Sequence, residues 1–162
     1  MAKKKTSTSR AIRELREHQI HFALYPYKYE EKGGTPAASY ELNVDQNLII
    51  KTIVMEDSQG DPFLVLMHGD QTVSIKAMAR VKGVKAVRTC EPRRAHQLTG
   101  YYVGGISPFG TKKPLKVYVE ASVLKLEKIY INAGRKGLLA RMSPQDLVAV
   151  LNPIDVHVAV EN

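Results

Sequence analysis

The sequence has little cysteine, no long apolar run and none of the common catalytic signatures. Its single cysteine, Cys90, cannot form an intramolecular disulfide, which agrees with a reducing compartment. No apolar run approaches a membrane span, and the basic start, Met1 to Thr6, is followed by polar residues and a charged amphipathic segment, not an apolar core. Neither a membrane partner nor a secretory signal is expected, and the cytoplasm is the default location. The five histidines, His18, His21, His68, His96 and His157, show no paired metal-ligand spacing and no cysteine partners, so no metal is expected. A G-x-S-x-G elbow, a P-loop and a dinucleotide fingerprint are all missing, which removes the common serine-hydrolase readings and leaves no cofactor to expect. Cys90, beside Glu91 and Pro92, lacks a base and reads as structural filler.

What is present is an excess of positive charge. Twenty-four Lys and Arg against sixteen Asp and Glu give a formal charge of +8, which fits a polyanionic partner and equally fits simple solubility. A chain of 162 residues buries one core, so the expected organisation is a flexible basic arm over residues 1–7 and a single domain over residues 8–162.

The periodicity predicts a helix from a cap at Ser7 or Ser9 to about His18, then a strand over 20–25 that Pro26 stops or marks as an edge. Tyr25, Tyr27 and Tyr29 alternate, so an extended chain puts them on one face. Thr35 and Pro36 carry the start signals of a short helix running to Leu42. Residues 47–55 read as a central strand, followed by a hairpin turn and a second strand over 63–67. Ser74 caps a helix that Gly83 ends, and 84–89 is a short strand before one or two helical turns over 91–98. Strands over 115–119, 129–132 and 138–142, a helix candidate over 121–126, a tight turn over 133–137, a helix from Ser143 to Leu151 and an alternating strand over 154–160 complete the chain. Strands and short helices interleave without regular βαβ spacing, which predicts an α+β domain with a mixed, strongly curved, partly barrel-like sheet of six to seven strands.

Two features suggest a site. The stretch from Thr99 to Gly110 holds four glycines, one proline and three aromatics in twelve positions, which fits neither a helix nor an alternating strand. It reads either as a strand with a glycine-rich turn or as a shaped loop, in which the adjacent Gly104 and Gly105 turn main-chain N–H groups toward an anionic or carbonyl oxygen and Pro108 restricts movement. The second feature is Lys51, in the middle of the apolar central strand. It must snorkel to an edge or project its ammonium into a cleft, because an unpaired buried charge costs several kcal/mol on the order of the desolvation penalty.

The run from Gly100 to Pro108 resembles the signature loop of the YbaK/EbsC family, bacterial aminoacyl-tRNA editing proteins that include the Cys-tRNA(Pro) deacylases. The likeness extends from about Ile20 to Leu151. The segment Ile49 to Val54 is similar to the one carrying the lysine that family members need for deacylation, and Tyr27 falls at a pocket tyrosine. Residues 129–137 resemble the strand and turn on the far side of the pocket, with Asn132 in place of a small hydroxyl residue. The resemblance implies catalytic roles for Lys51, Gly104 and Gly105, and substrate contacts for Tyr27, Thr52, Gly100, Ile106, Ser107, Pro108, Asn132 and Gly134. It implies hydrolysis of a wrong amino acid from tRNA, cysteine from tRNA(Pro) in the first place, with the substrate's own thiol or ribose hydroxyl assisting. The implied partners are aminoacylated tRNA and a prolyl-tRNA synthetase that presents it. Leu139 and Gln97 depart from residues found in relatives, which leaves alanine, another small amino acid or a different tRNA open. A module that binds tRNA or a synthetase without catalysis is the alternative from another class.

Overall fold

Residues 8–161 are described by the computed structural model, and no helix among them is long and apolar enough to cross a membrane. The expected basic arm over residues 1–7 lies outside the described residues, and so does Ser7. Helix α1 spans Arg10–Glu17 with Ser9 as its cap: the Ser9 hydroxyl accepts from the Ile12 N–H at 3.0 Å and donates to the Ala133 carbonyl. Its apolar stripe, Ala11, Ile12 and Leu15, is fully buried. Strand β1, Ala23–Pro26, is shorter than expected and lies at a sheet edge, where Pro26 leaves no ladder bond unmade.

Helix α2 spans Gly34–Leu42, and here the expected cap is corrected. Gly33 stands at the N-cap position, while the Thr35 hydroxyl donates to the Gly69 carbonyl at 2.8 Å and accepts from the Gln46 side chain at 3.0 Å. A long-range clamp takes the hydroxyl that a local cap would have used. After a short 3₁₀ turn at Gln46–Leu48 come β2 (Ile49–Asp57), β3 (Pro62–His68) and β4 (Gln71–Val73). Helix α3, Ile75–Lys82, has the Ser74 cap and the left-handed Gly83 that its sequence predicts. β5 is Val87–Thr89, and α4 is Pro92–Thr99, closed by Gly100 at φ 82°. The glycine-rich stretch then runs without regular structure to β6, Lys116–Glu120, and a 3₁₀ turn at Ala121–Lys125.

Strand β7, Ile129–Arg135, runs through what was expected to be a turn, and β8 is Leu138–Met142. The chain stays extended because Asn132 absorbs a bulge: its Oδ1 accepts from the N–H groups of Gly134 and Arg135 at 2.6 and 3.0 Å, so only Lys136 and Gly137 make the reversal. Helix α5 spans Pro144–Leu151 with the Ser143 cap. The alternating tail is two strands, not one: β9, Ile154–Val156, joins the main sheet, and β10, Ala159–Glu161, pairs with β4. The break falls where the Val158 N–H donates to the buried Glu120 carboxylate at 2.7 Å and its carbonyl accepts from the Ser74 N–H at 2.7 Å. A side-chain acceptor replaces the ladder there.

The main sheet is mixed, as expected, with more strands than expected: β1-β8-β7-β2-β3-β6-β9, and β5 attached to β2 as an eighth. Alternate residues of β3 feed two apolar layers, Leu64 and Leu66 on one side and Phe63, Val65 and Met67 on the other. The pairing of β2 positions the site. One side is paired with β3 from Ile50 to Glu56, whereas the other pairs with β7 only at Ile49 and Ile50 and with β5 only at Met55 to Asp57. Between those contacts the sheet splits.

Candidate active site

The split opens on a cavity of about 680 Å³ between β2, the segment following β1, the start of α2 and the glycine-rich loop. Of the expected site residues, Tyr27, Lys51, Thr52, Gly104, Ile106 and Asn132 line it. Gly100, Gly105, Ser107, Pro108 and Gly134 do not line it and serve its shape. Gly100 ends α4, its N–H donating to the His96 carbonyl at 2.8 Å. Ser107 is fully buried and accepts from the Phe109 N–H at 3.2 Å, and Pro108 is buried beside it. Gly134 sits in the bulge at φ 93°, where a Cβ would lie 2.9 Å from the Tyr101 ring.

Gly105 requires a correction. Its N–H donates to the Tyr102 carbonyl at 2.8 Å, closing a tight turn, and so is not turned toward a ligand beside that of Gly104. Its lack of a side chain matters for another reason, since a Cβ would lie 2.8 Å from the Lys136 nitrogen. Gly104 presses against the Tyr29 hydroxyl at φ 97°, and among the described residues no backbone acceptor takes its N–H.

Lys51 projects into the cleft. Its ammonium donates to the Gln71 carbonyl at the start of β4, which anchors the charge beside the cavity. Burial pushes this lysine below its ordinary pKa, with the Asp70 carboxylate pulling partly the other way. Burial, reinforced by Tyr29, raises that of the Tyr27 phenol. Thr52 is the most exposed in its chemistry. The Val54 carbonyl accepts from the Cys90 N–H at 2.8 Å on the side away from β3, so two residues earlier Thr52 turns its N–H and C=O the same way, onto the unpaired edge of β2. Its buried hydroxyl oxygen has no hydrogen-bond partner.

Residues outside the expected contact set complete the walls, among them Leu139, which the sequence marked only as a departure from relatives. Ala38, Ile49 and Leu139 form an apolar side with Tyr27, and Leu139 faces Asn132 across the β7–β8 ladder. Tyr29 was visible in the tyrosine alternation. Lys136, 5.2 Å above the Tyr29 ring and 3.2 Å from the Glu31 carboxylate, and the exposed Tyr102 lie at the rim. Among the described residues no cysteine, serine or histidine side chain lines the cavity. Cys90 is buried elsewhere with its thiol pushed up to about 11, first by burial, so it is no nucleophile.

The sequence model of the aminoacyl-tRNA editing domain matches residues 31–150, a span that holds Lys51, the glycine-rich loop and the Asn132 bulge. The chain belongs to that family. It is 27% identical over 154 residues to EbsC of Enterococcus faecalis, named as a candidate Cys-tRNA(Pro)/Cys-tRNA(Cys) deacylase, and the alignment covers 94% of each chain. It is 30% identical over 106 residues to the proline–tRNA ligase of Thermodesulfovibrio yellowstonii, covering 65% of this chain and 18% of the ligase. Among solved structures, a candidate trans-editing enzyme for prolyl-tRNA synthetase shares the fold at a TM-score of 0.83 and 21% identity, over 96% of this chain and 99% of that one. The editing-domain fold is thus common ground with that solved structure.

Proposed function

We propose that this editing domain is an aminoacyl-tRNA deacylase that hydrolyses the ester of a wrongly attached amino acid, with Cys-tRNA(Pro) as its first substrate. One observation carries the reading: a lysine donor, an orphaned threonine hydroxyl and a glycine with an untaken amide line one cavity into which, among the described residues, no cysteine, serine or histidine side chain reaches. Such a set binds and polarises an ester without attacking it. The attack then comes from the substrate side. Either the cysteinyl thiol bonds to its own ester carbonyl as the C–O bond to the ribose breaks, its proton passing to the ribose oxygen and water later opening the cyclic thioester, or water attacks directly with the free ribose hydroxyl assisting. An ammonium has three protons and Gln71 takes one, so Lys51 keeps donors for a carbonyl or phosphate oxygen. The Gly104 N–H supplies one oxyanion contact, worth about 3–4 kcal/mol when well placed. The carbonyl and hydroxyl of Thr52 accept from the α-ammonium of the amino acid, whose side chain lies on the apolar wall of Ala38, Ile49 and Leu139.

The likeness to proline–tRNA ligases supports tRNA(Pro), and a prolyl-tRNA synthetase is the partner we propose to present it. The wall accepts a methyl as readily as a thiol, which favours Ala-tRNA(Pro) as the second reading. The deciding experiment is a deacylation panel of Cys-, Ala- and Pro-tRNA(Pro) with the wild-type protein and Lys51→Ala. Loss of turnover in the variant supports the reading. Binding without release of any amino acid by the wild type refutes the enzyme and leaves a tRNA-binding module.

A further inference from the structure

At the cavity rim Tyr102 is 68% exposed, yet one face of its ring is covered. It lies flat on the His96 imidazole, centroids 4.2 Å apart and planes 14° from parallel. The imidazole is held in turn: His96 is part of α4, and its Nδ1 is hydrogen-bonded to the Tyr101 carbonyl at 3.1 Å. The backbone of Tyr102 is pinned by the Gly105 N–H on its carbonyl, the bond that takes Gly105 out of the oxyanion role. A helix, a histidine and a turn thus fix one aromatic plane, with one face covered and the other open. Tyr40 is more exposed still, at 84%, but among the described residues it lies against no other ring. Exposure alone therefore does not account for the stack at Tyr102.

We infer that the open face of Tyr102 is a stacking platform for the terminal nucleobase of the RNA whose ester occupies the cavity. The inference rests on the deacylase reading for the identity of the ligand. With the ester carbonyl between Lys51 and Gly104, the attached ribose points toward the rim, and the base it carries is the next planar group outward. A tyrosine face reads the π-surface of a base and not its edges, so the platform orients the 3′ end and does not select among tRNAs. Selection is left to the amino-acid wall and to the rest of the RNA. Pre-ordering the ring lowers the entropy lost when the base arrives.

The test uses an acceptor-stem minihelix with 2-aminopurine as its terminal base and the amino acid joined by a non-hydrolysable amide. The protein has no tryptophan, so the probe is read against a dark background. Wild-type protein is expected to quench the probe. Tyr102→Ala should abolish the quenching and weaken binding about tenfold or more, while Tyr102→Phe keeps both. Quenching that survives in Tyr102→Ala with affinity within about twofold overturns the platform, as does its absence in the wild type. The ester-linked substrate separates this from the activity: Tyr102→Ala is expected to raise KM more than it lowers kcat. A wild type that quenches but releases no amino acid retains the platform and removes the deacylase.

Discussion

The Asn132 side chain donates to the Gly104 carbonyl across 3.3 Å while its own carbonyl oxygen accepts from Gly134 and Arg135, so one residue ties the glycine loop to the bulge of β7. Its two ends have different jobs. Asn132→Asp keeps the acceptor that holds the bulge and loses the donor that holds Gly104, so it should retain most of the stability and lose about tenfold or more in kcat/KM. Asn132→Ala loses both and should also unfold more easily, by about 1–3 kcal/mol. Deacylation kinetics beside chemical denaturation separate the two effects. Equal activity in wild type and Asn132→Asp would remove the brace from the mechanism.

Lys51 is expected to trade stability for function. Its folded-state pKa lies below the unfolded value of about 10.4, so the unfolded chain binds more protons in the window between the two. This group's contribution to stability therefore rises with pH across that window, and below it the buried charge destabilises in full. Lys51→Met should abolish deacylation while leaving the melting temperature at pH 7 no lower than wild type. The rate difference between wild type and Lys51→Ala should shrink as pH rises through the lowered pKa, because the donor loses its charge. A wild-type rate that keeps its full excess over the variant through that range would show that the ammonium is not the acting form.

Gly104 and Tyr29 are coupled by contact. Any side chain at Gly104 meets the Tyr29 hydroxyl, and φ 97° is strained for other residues, so Gly104→Ala should cost about 1–2 kcal/mol from the backbone plus the clash. Tyr29→Ala removes the clash and leaves the backbone strain. A double-mutant cycle on unfolding free energy should therefore be non-additive, the pair being more stable than the sum of the singles. Additivity would mean that the ring moves aside freely.

Parts of this site could be seen in the sequence because their causes are local. The caps at Ser9, Ser74 and Ser143 each depend on a residue and the next three, and Lys51 drew notice as a charge within an apolar run. What stayed hidden depends on distant partners. The split in β2 follows from which strands flank it, β7 and β5, and neither is implied by the residues of β2 themselves. Thr35 looked like a cap because its partner, Gly69, is 34 positions away, and the tail looked like one strand because Glu120 is 38 positions before Val158. Gly105 misled differently. A Gly-Gly pair permits convergent amides and tight turns alike, and only the position of the Tyr102 carbonyl decides between them.

Leu139 should set which amino acids are removed. It is 4% exposed, packs with Ala38, Ile49 and Tyr130, and lines the same cavity as Lys51 and Thr52. Leu139→Ala deletes buried methyl groups and should cost about 2–5 kcal/mol of stability, the lower end if Tyr27 relaxes into the space. The space that remains enlarges the side-chain compartment. A pocket rejects a larger amino acid by steric conflict and prefers a smaller one only weakly, by about 1–3 kcal/mol per methylene. The variant should therefore keep hydrolysing Cys- and Ala-tRNA(Pro) and gain activity on the cognate Pro-tRNA(Pro), measured as the ratio of kcat/KM values. A ratio unchanged from wild type in a folded Leu139→Ala protein would place the amino-acid side chain against another wall, and would move the search for specificity to Tyr27 and Ala38.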